Sequence, residues 1–374
     1  MSNTENNKHL LEITNLTVSF KMQNKKNIFP VNNVSFTIDK NETVGFVGES
    51  GSGKSSLAYS IMRLLPKNGK IINGSIKLYD KELTNLPISK LQKIRGSKIA
   101  IIPQNPMSSF DPIYTIGYQM KEMFKIHSEE KKNLIDRELK KELNKTDKNE
   151  KIILKNIKKN INKLINNRLI ELLKLVGIND PERRLKQYPN ELSGGMLQRI
   201  MIAMNLICEP DLLIADEPTT ALDVTVQAQI IKLLKLIQSK MNMGIMIITH
   251  DLGIVANICD TVNVMYAGSI IESGDVKEIF QNPKHEYTKK LMLSTPKFNT
   301  KKLESINGNP VTLSNLPSGC AFAERCDECM EICLKKKPTM IKVKNGHYSS
   351  CFKYLHEKFT NNEISEKNLN DLIK

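Results

Sequence analysis

The sequence contains no tryptophan, and aromatic residues make up only 5% of its 374 positions. A surface that stacks unpaired bases needs exposed aromatic rings, so a base-stacking nucleic-acid binder is disfavoured at once. Long apolar runs are missing too. The strongest, such as Gly244–Thr249, falls far short of the roughly 20 residues a bilayer-spanning helix requires, which argues against an integral membrane protein. Residues Met1 to Lys8 are polar and lack the basic-then-apolar order of a secretory signal, so the chain is expected to remain in the cytosol. In that reducing compartment its seven cysteines do not read as a disulfide framework.

What is present fits a globular protein: 40% hydrophobic and 25% charged residues supply a sizeable core and an ordinary surface. The net charge of +15 raises the possibility of nucleic acid or an anionic membrane surface as partner. Its location weakens that reading. Between His127 and Arg168 thirteen basic residues face seven acidic ones, so one Lys/Asn/Ile-rich tract carries much of the excess. Lacking Gly or Pro punctuation, this tract reads as a solvated surface insertion.

From about Leu10 to Val47 apolar and polar residues alternate, as expected of half-buried, antiparallel strands. The continuous apolar runs Ile99–Ile102, Leu212–Ala215 and Ile245–Ile248 suit strands buried on both faces of a parallel sheet. The fold class is therefore α/β, a mixed sheet with an antiparallel β subdomain. A helical subdomain is expected over about 106–190, carrying the insertion at about 127–168. After Pro283 the pattern loosens, with prolines at 296, 310, 317 and 338, and residues 294–374 read as a separate C-terminal domain behind a larger one spanning 1–293.

Gly48-Glu-Ser-Gly-Ser-Gly-Lys-Ser55 is a Gly-x-x-x-x-Gly-Lys-Ser phosphate loop placed between a strand and a helix. Its glycines let successive backbone N–H groups face phosphate oxygens. Lys54 is expected to reach the β- and γ-phosphates and Ser55 to offer Mg²⁺ its hydroxyl. Gly48, Ser50, Gly51, Ser52, Gly53 and Ser56 complete the ATP-binding set. Leu212-Leu-Ile-Ala-Asp-Glu-Pro218 ends an apolar strand in two carboxylates. Asp216 suits the Mg²⁺-associated role, and Glu217, pointing differently along an extended chain, suits polarisation of water. Glu191-Leu-Ser-Gly-Gly-Met-Leu-Gln198 is a second anion-type turn at a helix start. A second such site beside a phosphate loop suggests a nucleotide held between two chains.

These three motifs, in this order, resemble those of ATP-binding-cassette (ABC) ATPases, and the resemblance covers about Leu10 to Leu293 outside the insertion. It implies that Gln104, in Ile101-Ile-Pro-Gln104, contacts Mg²⁺ and the attacking water. It implies further that Ala221-Leu-Asp223 is a D-loop at a dimer interface, with Asp223 its acidic member. His250, in Thr249-His250-Asp251, becomes the switch residue near the γ-phosphate, and Ser193, Gly194 and Gly195 contact ATP of the partner subunit. For the adenine-stacking aromatic, either Phe20 or Phe29 serves.

Five cysteines lie between Cys320 and Cys351, a clustering that suggests a metal site. Cys208 and Cys259 stand alone in apolar surroundings as inert core thiols. Gly319-Cys-Ala-Phe-Ala-Glu-Arg-Cys326, Cys333 and Gly346-His-Tyr-Ser-Ser-Cys351 are similar to the tail of oligopeptide/dipeptide importer ATPases. That resemblance implies a [4Fe-4S] cluster on Cys320, Cys326, Cys333 and Cys351. Four thiolates equally suit zinc, or stand unmetallated. Cys329 is extra to the pattern, and His347 reads as structural. The function implied is the ATPase subunit of a membrane importer for short peptides, at the cytoplasmic membrane face. Its implied partners are a paralogous ATPase, two permease subunits and an extracytoplasmic peptide-binding protein, without nucleic acid. Alternatives are an importer ATPase for nickel or another small solute, and a soluble cassette ATPase acting on DNA or ribosomes.

Overall fold

Leu11, Ile13, Leu16 and Val18 are all buried, so the alternation expected of a half-buried strand is present, with its phase interrupted between Ile13 and Leu16. The interruption is a register shift between Ile13 and Leu16, where Asn15 adopts a left-handed φ of 49°. An extra residue at that bulge returns the next apolar side chains to the inner face.

The computed structural model describes residues 9–23, 26–143, 150–220, 222–294, 306–344 and 346–360. In chain order its strands are β1 (Leu11–Lys21), β2 (Asn27–Ile38), β3 (Thr43–Val47), β4 (Gly69–Leu78), β5 (Lys81–Glu82) and β6 (Ile99–Ile102), then β7 (Leu212–Asp216), β8 (Gly244–Ile248), β9 (Thr261–Tyr266), β10 (Ser269–Asp275), β11 (Ile341–Lys344) and β12 (His347–Ser349). The chain divides into two compact units: Met1–Leu86 with Gly244–Lys374, and Pro87–Met243.

The first unit holds an antiparallel sheet in the order β2-β1-β4-β5. It also holds β3 between β8 and β9, parallel to both, extended antiparallel through β10, β12 and β11. β3 and β8 are buried at every residue, as expected for strands covered on both faces. The cysteine-bearing segment falls in this unit together with the phosphate loop, not in a compact unit of its own. Its β12 extends the sheet, and Phe352, Leu355, Ile341 and Ala323 form its small apolar core around Cys333.

In the second unit β6 and β7 pair in parallel, accompanied by helices that include Ile116–Ile126, Ile161–Leu175, Gly194–Asn205 and Val224–Met241. The basic insertion differs from a purely solvated excursion. Outside residues 144–149, which are not described, it forms the helices Ser128–Leu143, Glu150–Lys159 and the start of Ile161–Leu175. Ile153 and Ile157, one helical turn apart, are buried. Arg137 and Arg168, from opposite ends of the tract, converge on the carboxylate of Glu209. Composition conceals this docking because Lys and Asn occupy the outer faces while isoleucines one turn apart carry the inner one.

Candidate active site

β3 delivers the chain into the loop Gly48–Ser55 at its C-terminal end. A Cβ at Gly53 (φ 103°) would lie 1.8 Å from Pro30 O, and one at Gly48 would lie 2.2 Å from Met265 O. Neither position accepts a side chain. Gly53 opens the helix Lys54–Ile61, whose first N–H groups and dipole favour an anion. Lys54 is buried at 6% exposure. Its ammonium donates to Gly48 O at 2.7 Å, Glu49 O at 2.9 Å and Ser52 Oγ at 3.2 Å, and so lies inside the curl of the loop. Ser50, Gly51 and Ser55 are exposed on the rim, Ser52 is buried and Ser56 half-buried. Such a curl with its rim open to solvent has the form of an anion cradle.

In the neighbouring strand β8, Ile248 pairs with Phe46, and Thr249 N donates to Phe46 O at 3.1 Å. His250 therefore leaves β8 one strand away from where the phosphate loop begins, and it is exposed there. Asp251 caps the following helix, Leu252–Ile258, by accepting from Gly253 N and Ile254 N.

In the second unit Ile102 of β6 pairs with Ala215 of β7. Gln104 and Glu217, each two residues further on, thus emerge at the same edge. Gln104 Nε2 donates to Glu217 Oε2 at 2.8 Å, and Thr220 Oγ1 donates to the same oxygen at 2.9 Å. Asp216 is 2% exposed at the end of β7. The chain is not extended beyond it, as sequence reasoning had it: Glu217 takes a left-handed φ of 49°. Such a conformation in a non-glycine residue stores about 1–3 kcal/mol and is held by its surroundings.

Ser193 caps the helix Gly194–Asn205 through Met196 N, leaving the Ser193-Gly194 turn exposed. A Cβ at Gly195 would meet Val226 Cγ1 at 3.1 Å, so this helix start lies against that of Val224–Met241, capped by Asp223 through Val226 N at 2.9 Å. The Ser193-Gly194-Gly195 turn and the Asp223 cap thereby share one structural corner, and Ala221 lies outside the described residues. A link that sequence reasoning missed is Gln198, whose buried amide donates to Pro218 O at 2.7 Å. It ties the helix Gly194–Asn205 to the turn carrying Glu217, and a polar residue on the inner face of that helix was the available signal.

Neither Phe20 nor Phe29 lines the cavity of about 370 Å³ beside the phosphate loop, where Met22, Ile28, Tyr266 and residues 310–314 form the walls. Phe20 instead covers Gly69, where an added Cβ would meet its ring at 2.5 Å.

Cys320, Cys326, Cys333 and Cys351 line one small cavity together with Phe322 and Phe352, and Cys320 N donates to Cys333 O at 2.7 Å. The chain thus gathers the four thiols that the resemblance implied and leaves Cys329 exposed. The side chains do not converge as ligands, however. Among the described residues no three His, Cys, Asp or Glu groups are placed to hold one ion, so the iron–sulfur expectation has no support in this geometry. Burial pushes the thiol of Cys320 up to about 12 and that of Cys326 to about 11, and raises those of Cys333 and Cys351. Cys208 and Cys259 are buried in apolar surroundings, as expected.

His347 is structural, within β12: its Nε2 lies 2.8 Å from Glu272 Oε1, both fully buried. Glu272 also accepts from Lys284 N and His285 N, and His285 Nδ1 accepts from Tyr287 N at 3.1 Å. Burial, which outweighs the opposing charges of Glu272 and Glu286, lowers the His285 pKa to about 4 from 6.5. The unfolded chain binds the extra proton first, so this residue's contribution to stability is intact above about pH 6.5, falls as pH drops, and levels off near pH 4. His285→Asn, which keeps a cap acceptor, is expected to flatten that slope in denaturant unfolding followed across the window. An unchanged slope refutes the assignment.

The region 31–220 matches the family model described as ABC transporter. The chain belongs to the ABC transporter ATP-binding family. Residues 271–333 match a second model, the C-terminal region of oligopeptide/dipeptide transporters. Among curated proteins the chain is 44% identical to the oligopeptide transport ATP-binding protein AppD of Bacillus subtilis, over 93% of this chain and 98% of the relative. It is 42% identical to the dipeptide transport ATP-binding protein DppD of the same organism, covering 92% and 94%. It is 41% identical to OppD of Salmonella typhimurium, covering 93% and 95%. Solved structures show the same fold: the ATP-binding cassette MJ0796 bound to ADP and Pi (TM-score 0.55, 24% identity, 71% of this chain and 98% of that one), and cbiO1 of Clostridium perfringens (0.53, 24%, 74% and 92%). Among its described residues the chain carries no helix long and apolar enough to cross a membrane.

Proposed function

We propose that this chain is the ATP-hydrolysing subunit of a membrane importer for oligopeptides or dipeptides. The observation that carries this reading is a single continuous match: the phosphate-loop region and the cysteine-bearing region belong together in peptide-transport ATP-binding relatives of nearly equal length. The phosphate loop, Gly48 to Ser56, binds the nucleotide's phosphates, with Lys54 as its cation. Ser55, Asp216 and Gln104 would hold Mg²⁺, which would neutralise charge on the phosphates. The hydroxyl, carboxylate and amide offered are oxygen donors, the class that ion takes. Glu217 accepts a proton from the attacking water, and Gln104, bonded to its carboxylate, orients it. His250 senses the γ-phosphate. Ser193, Gly194 and Gly195 present N–H groups to ATP bound by a partner subunit, with Asp223 at that interface.

This division of labour requires a second, paralogous ATPase, two permease subunits that convert closure into transport, and an extracytoplasmic peptide-binding protein. The chain works at the cytoplasmic membrane face. Co-assembled with these partners in proteoliposomes, it is expected to drive ATP-dependent uptake of labelled short peptides. Uptake of nickel without peptides shifts the cargo class, and co-purifying nucleic acid in place of permeases overturns the reading. The purified chain alone is expected to hydrolyse ATP only feebly, because its Ser193 turn completes another subunit's site.

For the four cysteines the proposal is a [4Fe-4S] cluster, with zinc as the alternative occupant. Support comes from the donor chemistry of four thiols alone, and ligation would require them to turn toward one another and lose their protons. A segment with so small a core gains stability from such a group. Anaerobically purified protein is expected to contain iron and acid-labile sulfide. Stoichiometric zinc without iron replaces the cluster, and no metal at all removes it.

A further inference from the structure

The phosphate loop is held from outside by a residue that no nucleotide motif contains. Arg325, in the cysteine segment, is almost wholly buried, and its guanidinium meets the Glu49 carboxylate with both prongs, Nη1 to Oε2 at 2.7 Å and Nη2 to Oε1 at 2.8 Å. Glu49 is the second residue of the loop. Its N–H donates to Tyr287 Oη at 2.8 Å, and its carbonyl accepts from the Lys54 ammonium at 2.9 Å. Each polar group of Glu49 is therefore engaged, and the carboxylate arm is fixed by Arg325. Arg325 in turn is over-determined: Nε donates to Asn307 O at 3.0 Å, Nη1 reaches Tyr266 Oη at 3.2 Å, and the guanidinium lies over the rings of Tyr266 and Phe322. A bidentate, stacked arginine is a rigid strut.

The strut stands on a turn bracketed by two cysteines. Ala323 N bonds Cys320 O, Arg325 N bonds Phe322 O, and Cys326 N bonds Ala323 O, closing a single 3₁₀ turn between Cys320 and Cys326. Where these two cysteines sit decides where the guanidinium sits.

We propose that Arg325 is a positioning residue of the phosphate loop, through which the turn between Cys320 and Cys326 sets how tightly the loop holds ATP. This rests on the phosphate loop being the nucleotide site. The strut acts through Glu49 on the carbonyl that accepts from Lys54, so releasing it relaxes the curl that holds the ammonium in place for phosphate. The C-terminal region thereby acquires a direct mechanical link to nucleotide affinity, and a change of state at its thiols is transmitted to the loop.

The test measures ATP–Mg²⁺ affinity of the full-length chain by equilibrium dialysis, alongside the thermal midpoint without nucleotide. Arg325→Gln and Glu49→Gln are each expected to weaken binding about tenfold, within the usual range of coupling between sites. The double variant is expected to be no weaker than the worse single, since the second change removes a contact already lost. Arg325→Lys, with its charge but not its fork, is expected to recover part of the affinity. Cys326→Ser is expected to weaken binding in the native background and to have no further effect beside Arg325→Gln. Should Arg325→Gln fail to fold, Glu49→Gln, on the more exposed partner, carries the comparison together with Cys326→Ser. Lower midpoints with unchanged affinity in the folded protein make the pair merely structural and overturn the proposal, as do additive losses in the double variant. A native chain that binds no ATP overturns the nucleotide site and this proposal together, whereas native binding matched by both single variants overturns this proposal alone.

Discussion

Glu217→Gln is expected to stop hydrolysis while leaving ATP bound. The substitution keeps the size of the side chain and an oxygen able to accept from Gln104 Nε2 and Thr220 Oγ1, which meet the native carboxylate at 2.8 Å and 2.9 Å. It removes the basicity needed to take a proton from water. General-base loss typically costs about 10²- to 10⁴-fold in rate, and a loss in that range is expected here. The comparison is steady-state phosphate release by the assembled transporter at saturating ATP, with nucleotide occupancy measured in parallel. Turnover at the native rate means that the proton goes elsewhere, and loss of occupancy means that Glu217 anchors the nucleotide.

Lys54→Ala is expected to fail one step earlier, at binding. The ammonium is buried, and Gly48 O, Glu49 O and Ser52 Oγ all accept from it. Truncation withdraws the loop's own cation from the phosphates and leaves those acceptors without their donor. Hydrogen bonds to charged groups contribute about 1.5–3 kcal/mol each, so ATP affinity is expected to fall by about a hundredfold or more. The two variants separate cleanly: Glu217→Gln retains ATP without turnover, whereas Lys54→Ala binds weakly and turns over in proportion to occupancy at high ATP. Native affinity in Lys54→Ala removes the lysine from the phosphate site.

The sites whose chemistry depends on consecutive residues were legible in one dimension. Gly48 to Ser55, Asp216-Glu217 and Ser193-Gly194-Gly195 lie within short stretches whose flanking apolar runs already declare a strand or a helix, and β3, β7 and the helix Gly194–Asn205 stand where those runs put them. The three buried runs and the alternating region from Leu11 to Ile38 were equally plain, because burial on one face or both leaves a period in the sequence.

Other features had no such trace. Arg137 and Arg168 looked like part of a charge run until Glu209 stood between them. Glu217 looked extended because propensity does not foresee a left-handed carboxylate. Arg325 read as a neighbour of Cys326, and Glu49 as one of the variable positions of a phosphate loop, yet they form the bidentate pair at 2.7 and 2.8 Å.

The sequence by itself determined the α/β class, the phosphate loop, the carboxylates at the end of β7 and the clustering of five cysteines between Cys320 and Cys351, since each is written in local spacing and hydrophobic period. Only the tertiary structure decided that Gln104 bonds Glu217, that Gln198 reaches Pro218, that the thiols share a cavity without converging as ligands, and that Arg325 grips the loop. Those pairings join residues from 20 to 276 positions apart, and a side chain's partner at that range is set by how strands and helices pack, which no local pattern encodes.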